Sequence, residues 1–346
     1  MVAIDKSERA RVSRCAVLLV GPAPPPLGGI SVHIARLAAR LGERGVSFSV
    51  LDESRTPKSG VSGIRFISPM QYLAALSGAD TVHIHSFNHF VRLIHTVMAR
   101  LLGRRVVHTV HSARGSKLAL RALYIASCFA HQRIAVSVEV AGRLAGNPYV
   151  VPAFLPPSED EENIAPDTAA WIRGQSVRGR RVIAFNASLP SKIDGVDLYG
   201  LDMVIDALGD HRLDRFAAIL CVSRTETSDN YFGQLLARAE QRGLADRIRF
   251  QTGQVSFAGV LKRADLFVRP TITDGDAISI REAIWYGVPV IASDAVIRPK
   301  RTIIFPSRNH EAFVDAIVNA PTAGAAGSGE DFAEQIIDIL APQRVT

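Results

Sequence analysis

Residues 264–294 read ADLFVRPTITDGDAISIREAIWYGVPVIASD, and this stretch decides the fold class. Its first part, ADLFVRP, is a short apolar run typical of a buried strand, and a polar loop follows it. ISIREAIWYG then shows helical spacing and stops at a glycine, after which VPVIASD predicts a strand led by a proline. A strand, a helix and a second strand in this order favour the parallel sheet of an α/β protein.

The same alternation of strands and helices extends on both sides of this stretch. Two separate series of alternating elements predict two doubly wound, Rossmann-like domains. In the first series the predicted strands are CAVLLVG, VSFSVLD, GIRFIS, TVHIHSF, RRVVHTVHS and RIAVSVEV, with helices at ISVHIARLAARLGERG and HFVRLIHTVMARLLG. In the second they are RVIAFNAS, FAAILCVS, RIRFQTG, ADLFVRP and VPVIASD, with helices at LDMVIDALGD, YFGQLLARAEQRG, FAGVLKR and ISIREAIWYG.

The length of 346 residues suits two such domains, each with its own core. LPPSEDEENIAP combines prolines with an acidic run, which is typical of an exposed linker. The predicted domains are therefore residues 1–155 and 156–328, and 329–346 form a last helix expected to pack back on the first domain. Hydrophobic residues make up 47% and charged residues 21%, a globular composition.

Cysteine usage and hydropathy exclude several classes of protein. The three cysteines, Cys15, Cys128 and Cys221, are far apart, which argues against a disulfide framework and a cysteine-based metal site. The amino terminus predicts no signal peptide, and no stretch is apolar and long enough to predict a transmembrane helix. The motifs of phosphoryl-transfer P-loops and serine-hydrolase elbows do not occur in the sequence. We therefore expect a cytoplasmic enzyme.

Charge is distributed unevenly along the chain. Residues 1–150 contain 19 Lys and Arg against 7 Asp and Glu, a net +12, and the remainder has a net −5, for a total of +7. A cationic half can attract an anionic membrane surface, a phosphate-bearing acceptor or nucleic acid. Charge alone does not choose among these partners, and a merely basic surface is the plain alternative.

Two loops have the composition of a ligand site in a parallel α/β protein, where ligands gather at the carboxyl ends of strands. In GPAPPPLGGISVH, Gly28 and Gly29 precede a helix and would let a phosphate or sugar approach the backbone. In DGDAISIRE, Asp274 and Glu282 lie eight positions apart around a helix start. The structural alternatives are a tight turn for the first loop, and a helix cap and a solvated acid for the second.

The second loop and its surroundings resemble a known family. The acid Asp274 is followed after seven residues by Glu282 and Ala283, and then by GVPVIASD. This pattern is similar to the motif of retaining glycosyltransferase family four, which has the GT-B fold. Four other segments resemble further parts of that family's sequence, namely PPPLGGISVHIARLAARLGERG, TVHS, VVPAFLPP and RIRFQTGQVSFAGVLKRADLFVRP. The resemblance implies two Rossmann-like domains facing across a cleft, with the donor, a nucleoside diphosphate sugar, bound in that cleft.

The resemblance also implies roles for individual residues. Glu282 would hold the nucleotide ribose, and Asp274 with the amides after it would hold the transferred sugar. Gly28 and Gly29 would approach the diphosphate, and His111 would lie near the reaction centre. A structural histidine is the alternative for His111. The predicted catalytic residues are His111, Asp274 and Glu282, and the predicted donor-binding residues are Gly28, Gly29, Ser188, Lys192, Arg224, Gly275, Asp276, Ala277, Ile278 and Ser279.

The sequence departs from the family in two respects. Asp274 stands where the family usually has Glu, and Ser188 and Tyr199 stand where it usually has an Arg and a Lys on the diphosphate. Other basic side chains must then neutralise the diphosphate. The candidates are Lys192, which we favour, Arg224, Arg281 and Arg298, and a solvated surface charge is the alternative for each.

The sequence predicts no obligatory metal and no cofactor besides the nucleotide-sugar substrate. Asp274-Gly275-Asp276 has the form of the Asp-x-Asp metal motif, but it follows a complete second α/β series and precedes Glu282 at the family spacing. His83 and His85 would point to one face of a strand with no carboxylate close in sequence, which favours packing over metal binding.

The expected activity is transfer of a sugar to a saccharide or polyprenyl-diphosphate-linked acceptor, with retention and in cell-surface polysaccharide synthesis. Amides at the helix start and basic side chains would stabilise the leaving diphosphate, and front-face attack is favoured over a covalent intermediate. The expected surroundings are the cytoplasm and peripheral contact with an anionic membrane, with no nucleic acid. The alternatives are a nucleotide-sugar epimerase of the same fold and a non-catalytic nucleotide-sugar-binding subunit.

Overall fold

The computed structural model describes residues 15–25, 28–54, 62–226, 230–253, 255–274, 277–324 and 329–341. The chain divides into two compact units. The first unit consists of the residues up to Leu155 together with those from Phe332 onward, and the second of Pro156–Asp331. Each unit is built around one parallel sheet.

The first unit alternates strands and helices along the chain. Its strands are β1 Cys15–Gly21, β2 Phe48–Asp52, β3 Ser62–Gly63, β4 Ala79–Ile84, β5 Arg105–Val110, β6 Gln132–Ala135 and β7 Tyr149–Val150. Its helices are α1 Gly29–Glu43, α2 Pro69–Ser77, α3 His89–Leu101, α4 Lys117–Phe129 and α5 Val138–Ala141. The sheet order β3-β2-β1-β4-β5-β6-β7 reverses direction next to β1, which is the doubly wound arrangement expected.

The predictions of two strands in this unit are wrong in part. Of the predicted strand GIRFIS, only its first residue, Gly63, belongs to a strand, which it forms with the preceding Ser62. The residues after Gly63 form a turn that leads to Ser68, whose side chain caps α2. In RIAVSVEV the strand stops at Ala135, because the Ser137 hydroxyl accepts a hydrogen bond from the Val140 amide and starts a short helix. Both errors arise where a serine supplies a helix cap that alternation of apolar residues does not reveal.

The second unit repeats the alternation. Its helices are α6 Pro166–Val177, α7 Leu201–Leu208, α8 Tyr231–Gln241, α9 Phe257–Leu261, α10 Ile278–Trp285 and α11 His310–Val318. Its strands are β8 Arg181–Ala187, β11 Phe216–Val222, β12 Ile248–Thr252, β13 Leu266–Arg269, β14 Val290–Ser293 and β15 Thr302–Phe305, with a small antiparallel hairpin of β9 Lys192–Ile193 and β10 Val196–Asp197. The order β12-β11-β8-β13-β14-β15 places β8 and β13 side by side.

The cores of both units lie on the two faces of their sheets. In β11 all seven residues are buried, as expected for a central strand of a parallel sheet covered on both faces. The acidic run after Pro157 forms a 3-10 turn, Glu159–Glu162, on the second unit, where the Tyr286 hydroxyl donates to Glu162 Oε1 at 3.0 Å. This segment therefore joins the second unit instead of lying free as a linker.

The last helix, α12 Ala333–Leu340, packs on the first sheet. Ile336 and Leu340 join the apolar cluster that contains β1 and α1 residues, and the Arg105 guanidinium donates to the Leu340 carbonyl at 2.9 Å. A guanidinium bound to the final carbonyls of a helix also opposes the negative end of its dipole. Among the described residues, no helix combines the length and the apolar character needed to cross a membrane.

Candidate functional site

The carboxyl ends of β8 and β13 carry the main polar cluster of the second unit. These strands are paired, so the loops that follow them start beside each other. Arg269 is the last residue of β13 and is buried, and Asn186 lies one position before the end of β8. The Arg269 Nη1 donates to both the carbonyl and the side-chain oxygen of Asn186, at 3.1 Å each.

Asp274 binds two arginines in this cluster. Arg269 donates to it in a forked geometry, Nε to Oδ2 at 2.9 Å and Nη2 to Oδ1 at 3.0 Å. Arg298 Nη1 donates to Oδ2 at 2.9 Å. All three side chains are at most 10% exposed, so the pairing is screened little by water. We call Arg269, Asp274 and Arg298 the arginine cluster. Its two guanidinium groups and one carboxylate give it a net charge of about +1.

Titration of the cluster follows from burial and pairing. Burial raises the pKa of Asp274, but attraction to Arg269 and the hydrogen bonds from Arg269 and Arg298 outweigh it, and the pKa is lowered to about 2. For Arg298 burial prevails and lowers the pKa, whereas for Arg269 the Asp274 carboxylate raises it against burial. The pair Arg269–Asp274 is therefore charged at neutral pH.

Arg298 is also held by the edge of the sheet. Its Nε donates to the Ser293 carbonyl at 3.0 Å, and its Nη2 contacts the Thr271 hydroxyl at 3.2 Å. Most of its N–H groups are thus engaged within the unit, as are those of Arg269. Any effect of either arginine on a nearby anion would therefore come mainly from its charge.

Ser188 and Tyr199 lie at the same sheet edge. Their hydroxyl groups are 2.7 Å apart, and the Arg269 guanidinium carbon lies 5.6 Å from the centroid of the Tyr199 ring. The Arg224 amide donates to the Ser188 carbonyl at 2.8 Å, so the exposed Arg224 is close to this pair. The positions that lack the family's two basic residues are therefore next to a different arginine, Arg269.

Helix α10 begins at the same edge. Ala277 is its N-cap, and Ile278 and Ser279 form its first turn. Glu282 is 6% exposed and lies on the buried side of the helix with Ser279. Neither acid thus has the simple role weighed as an alternative, since Asp274 is not the cap and Glu282 is not solvated. The predicted residues Gly275 and Asp276 lie outside the described part of the chain.

The structure places Lys192 at a separate cavity. Its ammonium lies 4.0 Å from the centroid of the Tyr231 ring, and the Tyr231 hydroxyl donates to Asp197 Oδ2 at 2.8 Å. This cavity of about 480 Å³ is also lined by Asp202 and Arg238. Arg281 is half-buried on α10. Of the four predicted basic residues, only Arg298 is bound directly to Asp274 among the contacts of the described residues.

In the first unit, the Gly-Gly loop leads into α1 as predicted. Gly28 is the N-cap, its amide donates to the Ser31 hydroxyl at 2.9 Å, and Gly29 is the first residue of the helix. Among the described residues, a Cβ added at Gly28 would meet only the Ser31 Oγ, at 3.9 Å. The described part of this unit therefore does not itself demand glycine at this position.

His111 directly follows β5 and contacts other histidines. Its Nε2 is 3.1 Å from His85 Nδ1, and His85 Nε2 is 3.1 Å from His83 Nδ1. The ring of His33 lies 5.1 Å from that of His111. Burial lowers the pKa of all four imidazoles, that of His33 to about 4, so they are neutral at pH 7. His83 and His85 are buried in the interior of the first unit.

Residues 180–321 match the family of glycosyl transferases group 1. This segment lies within the second unit and makes up less than half of the chain. Together with the fold described above, the match identifies the protein as a glycosyltransferase with an α/β GT-B fold, as the sequence motif predicted. No curated protein sequence matches the chain.

Several solved structures have similar folds, and some of them are described as glycosyltransferases. This glycosyltransferase is similar to Anabaena HepE, solved with UDP and glucose, with 16% identity, coverage of 88% of this chain and 89% of that one, and a TM-score of 0.63. A Rickettsia africae glycosyltransferase is 14% identical, with coverage of 88% of this chain and 87% of that one, and a TM-score of 0.63. WaaG, a glycosyltransferase involved in lipopolysaccharide biosynthesis, is 14% identical, with coverage of 87% of this chain and 89% of that one, and a TM-score of 0.51.

Sequence reasoning missed Arg269, which the structure makes the centre of the arginine cluster. A signal was present, since an arginine that ends the apolar strand LFVR is unusual for a buried position. It also missed the convergence of His33 with His85 and His111, because these histidines come from three distant segments.

Proposed function

We propose that this glycosyltransferase moves a sugar, with retention, from a nucleoside diphosphate sugar to a saccharide or lipid-linked saccharide acceptor. The observation that carries this proposal is the arginine cluster of Arg269, Asp274 and Arg298 beside the start of α10, where buried Glu282 also lies. A net positive charge and helix-start amides suit the diphosphate, and a buried carboxylate suits ribose hydroxyls. The complexes of HepE with UDP and with UDP-glucose support the same class of donor.

Each part of the donor then has a partner in this unit. The amides of Ala277, Ile278 and Ser279 bind diphosphate oxygens or sugar hydroxyls, and the charge of the arginine cluster stabilises the leaving diphosphate. Glu282 accepts hydrogen bonds from the ribose. Exposed Arg224, whose amide donates to the Ser188 carbonyl, supplies a positive charge for direct contact with phosphate. This donor site requires no metal ion, because its own cations offset the phosphate charge.

Donor binding should appear as a rise in melting temperature in a screen of UDP-, GDP-, ADP- and dTDP-sugars. A donor at about one hundred times its dissociation constant stabilises the folded chain by about 2.7 kcal/mol. We expect one nucleotide class to give this shift, equally with and without a chelator, and the free sugar to give none. If the whole panel leaves the melting temperature unchanged, the proposal is wrong.

A face of the first unit supports contact with an anionic membrane. Residues 81–138 contain eight Lys or Arg and no Asp or Glu. Helix α3 exposes an apolar stripe at helical spacing, and α4, which packs beside it, exposes further apolar residues. We define this membrane face by the stripe Phe90, Ile94, Val97 and Leu101 and by Leu118, Tyr124, Ile125 and Phe129, which lie among exposed Arg100, Lys117 and Arg121.

Exposed apolar side chains can insert into a lipid bilayer, and the basic side chains among them attract anionic lipids. The membrane would also hold a polyprenyl-linked acceptor. WaaG, which acts in lipopolysaccharide biosynthesis, supports a role in assembly of cell-surface saccharides. The membrane face therefore links the location of the enzyme to the class of its acceptor.

Replacing Ile94, which is 58% exposed, by Glu should lower binding to anionic vesicles by about tenfold or more. The change removes about 1.5–3 kcal/mol of apolar burial and adds a repelled charge. Vesicle sedimentation measures the bound fraction, and Val177→Glu, at a residue 88% exposed in the second unit, is the matched control. Equal binding by wild type and Ile94→Glu would contradict this membrane contact.

A further inference from the structure

Three histidines of the first unit bring one nitrogen each to a common point. His33 lies on α1, and His85 and His111 follow the carboxyl ends of β4 and β5. Their available nitrogens all lie within 4.8 Å of one another. His33 and His85 are buried, whereas His111 is partly accessible from solvent. We call these three residues the histidine cluster.

The contacts around the histidine cluster orient the rings as metal ligands. His33 Nδ1 lies 3.1 Å from the Ala153 carbonyl, which fixes the proton on Nδ1 and leaves the lone pair of Nε2 toward the cluster. That Nε2 is buried and has no hydrogen-bond partner among the described residues. A buried nitrogen without a partner is costly, and a bound ion would satisfy it.

The ring of His85 is oriented by a similar outer set of contacts. His85 Nε2 meets His83 Nδ1 at 3.1 Å, and His83 Nε2 meets the Thr109 hydroxyl at 2.8 Å. With protons on these outer nitrogens, the lone pair of His85 Nδ1 faces the cluster. It lies 3.1 Å from His111 Nε2, close to the separation of about 3.3 Å expected for two imidazole nitrogens on one tetrahedral zinc ion.

We propose that His33 Nε2, His85 Nδ1 and His111 Nε2 bind one zinc-class divalent cation, with a fourth position open toward solvent. Neutral imidazoles favour zinc, cobalt, nickel or copper over magnesium, manganese or calcium. Arg92, a buried cation near the cluster, is fixed by the carbonyls of Ile84, Ser86 and Thr109 and so does not occupy the ligand point. Arg36, which is also buried, donates to the Leu155 carbonyl at 2.9 Å. All three ligands belong to the first unit, and the proposal does not depend on the proposed function.

The histidine cluster is tested by metal binding to the untagged full chain after treatment with a chelator. Equilibrium dialysis against Zn²⁺, with metal measured by mass spectrometry, should give one ion per chain. Co²⁺ in its place should give the visible absorption of a four- or five-coordinate site. His33→Ala and His111→Ala should each weaken binding by about 100-fold or more, because each removes a ligand. Magnesium should not compete.

The matched control is His211→Ala, at an exposed histidine of the second unit, which should bind metal like wild type. Thermal melts establish that each variant is folded. If His33→Ala does not fold, His111→Gln at the accessible position provides the same comparison. The proposal is overturned if wild type binds no stoichiometric Zn²⁺, or if the cluster variants bind it as tightly as His211→Ala.

Discussion

Asp274→Asn is expected to lower the free energy of unfolding of the second unit by about 3–5 kcal/mol. The change leaves Arg269 and Arg298 buried without the carboxylate that both of them bind. It also replaces two carboxylate oxygens by one neutral amide oxygen, so the forked pairing with Arg269 is lost. Urea unfolding, followed by a probe in the second unit, measures the difference.

The control for this variant is Asp246→Asn, which breaks the ion pair of Arg180 with a carboxylate that is 65% exposed. Surface pairs contribute about 0.2–1 kcal/mol, so this variant should change little. Similar losses for both variants would mean that the arginine cluster is not the anchor we describe. Destabilisation by Asp274→Asn alone supports it.

The same ion pair predicts how stability depends on pH. The pKa of Asp274 is about 2 in the folded chain, against about 3.9 in an unfolded one. A lowered pKa adds stability that is fully present above pH 4 and is lost as the pH falls from about 4 to 2. Asp274→Asn should therefore lose less stability than wild type over that interval.

Glu282→Ala is expected to lower kcat/KM for the donor by about 100-fold or more while the chain stays folded. Hydrogen bonds to a charged group are each worth about 1.5–3 kcal/mol, and every 1.4 kcal/mol is a factor of ten. A carboxylate that binds two ribose hydroxyls would supply two such bonds. Steady-state release of nucleoside diphosphate at varied donor concentration measures the change.

Glu240→Ala, at an exposed glutamate of the same unit, is the control and should retain wild-type kinetics. Glu282→Gln keeps the size of the side chain and should also be impaired, because it loses the charge. Full activity of both Glu282 variants would remove this residue from the donor site.

Much of the fold could be predicted because buried parallel strands are continuous apolar runs. CAVLLVG and FAAILCVS were located almost to the residue for this reason. The predictions failed where a single hydrogen bond decides the structure, as at Ser68 and Ser137, whose side chains cap helices. They also left out α6, β15 and α11, whose sequences carry weaker periodicity.

The candidate site could be predicted only as far as it is local in sequence. Asp274 and Glu282 were found because one loop and one helix carry both. Arg269 was missed although it lies only five residues before Asp274, because its place at the end of an apolar strand did not reveal its partner. Arg298 was only one of four basic candidates, since it reaches Asp274 from the segment after β14, which pairs with β13. The histidine cluster was missed for the same reason, because sheet topology brings its members together.

The central claim is that a sugar moves from a nucleotide donor to an acceptor, and labelled product analysis tests it most directly. The chain is incubated with a donor labelled in its sugar, with and without polyprenyl-diphosphate-linked saccharide. We predict that label reaches the acceptor with retained anomeric configuration, and that nucleoside diphosphate is released in equal amount. Epimerised donor formed without acceptor, or bound donor that never turns over, would contradict the account.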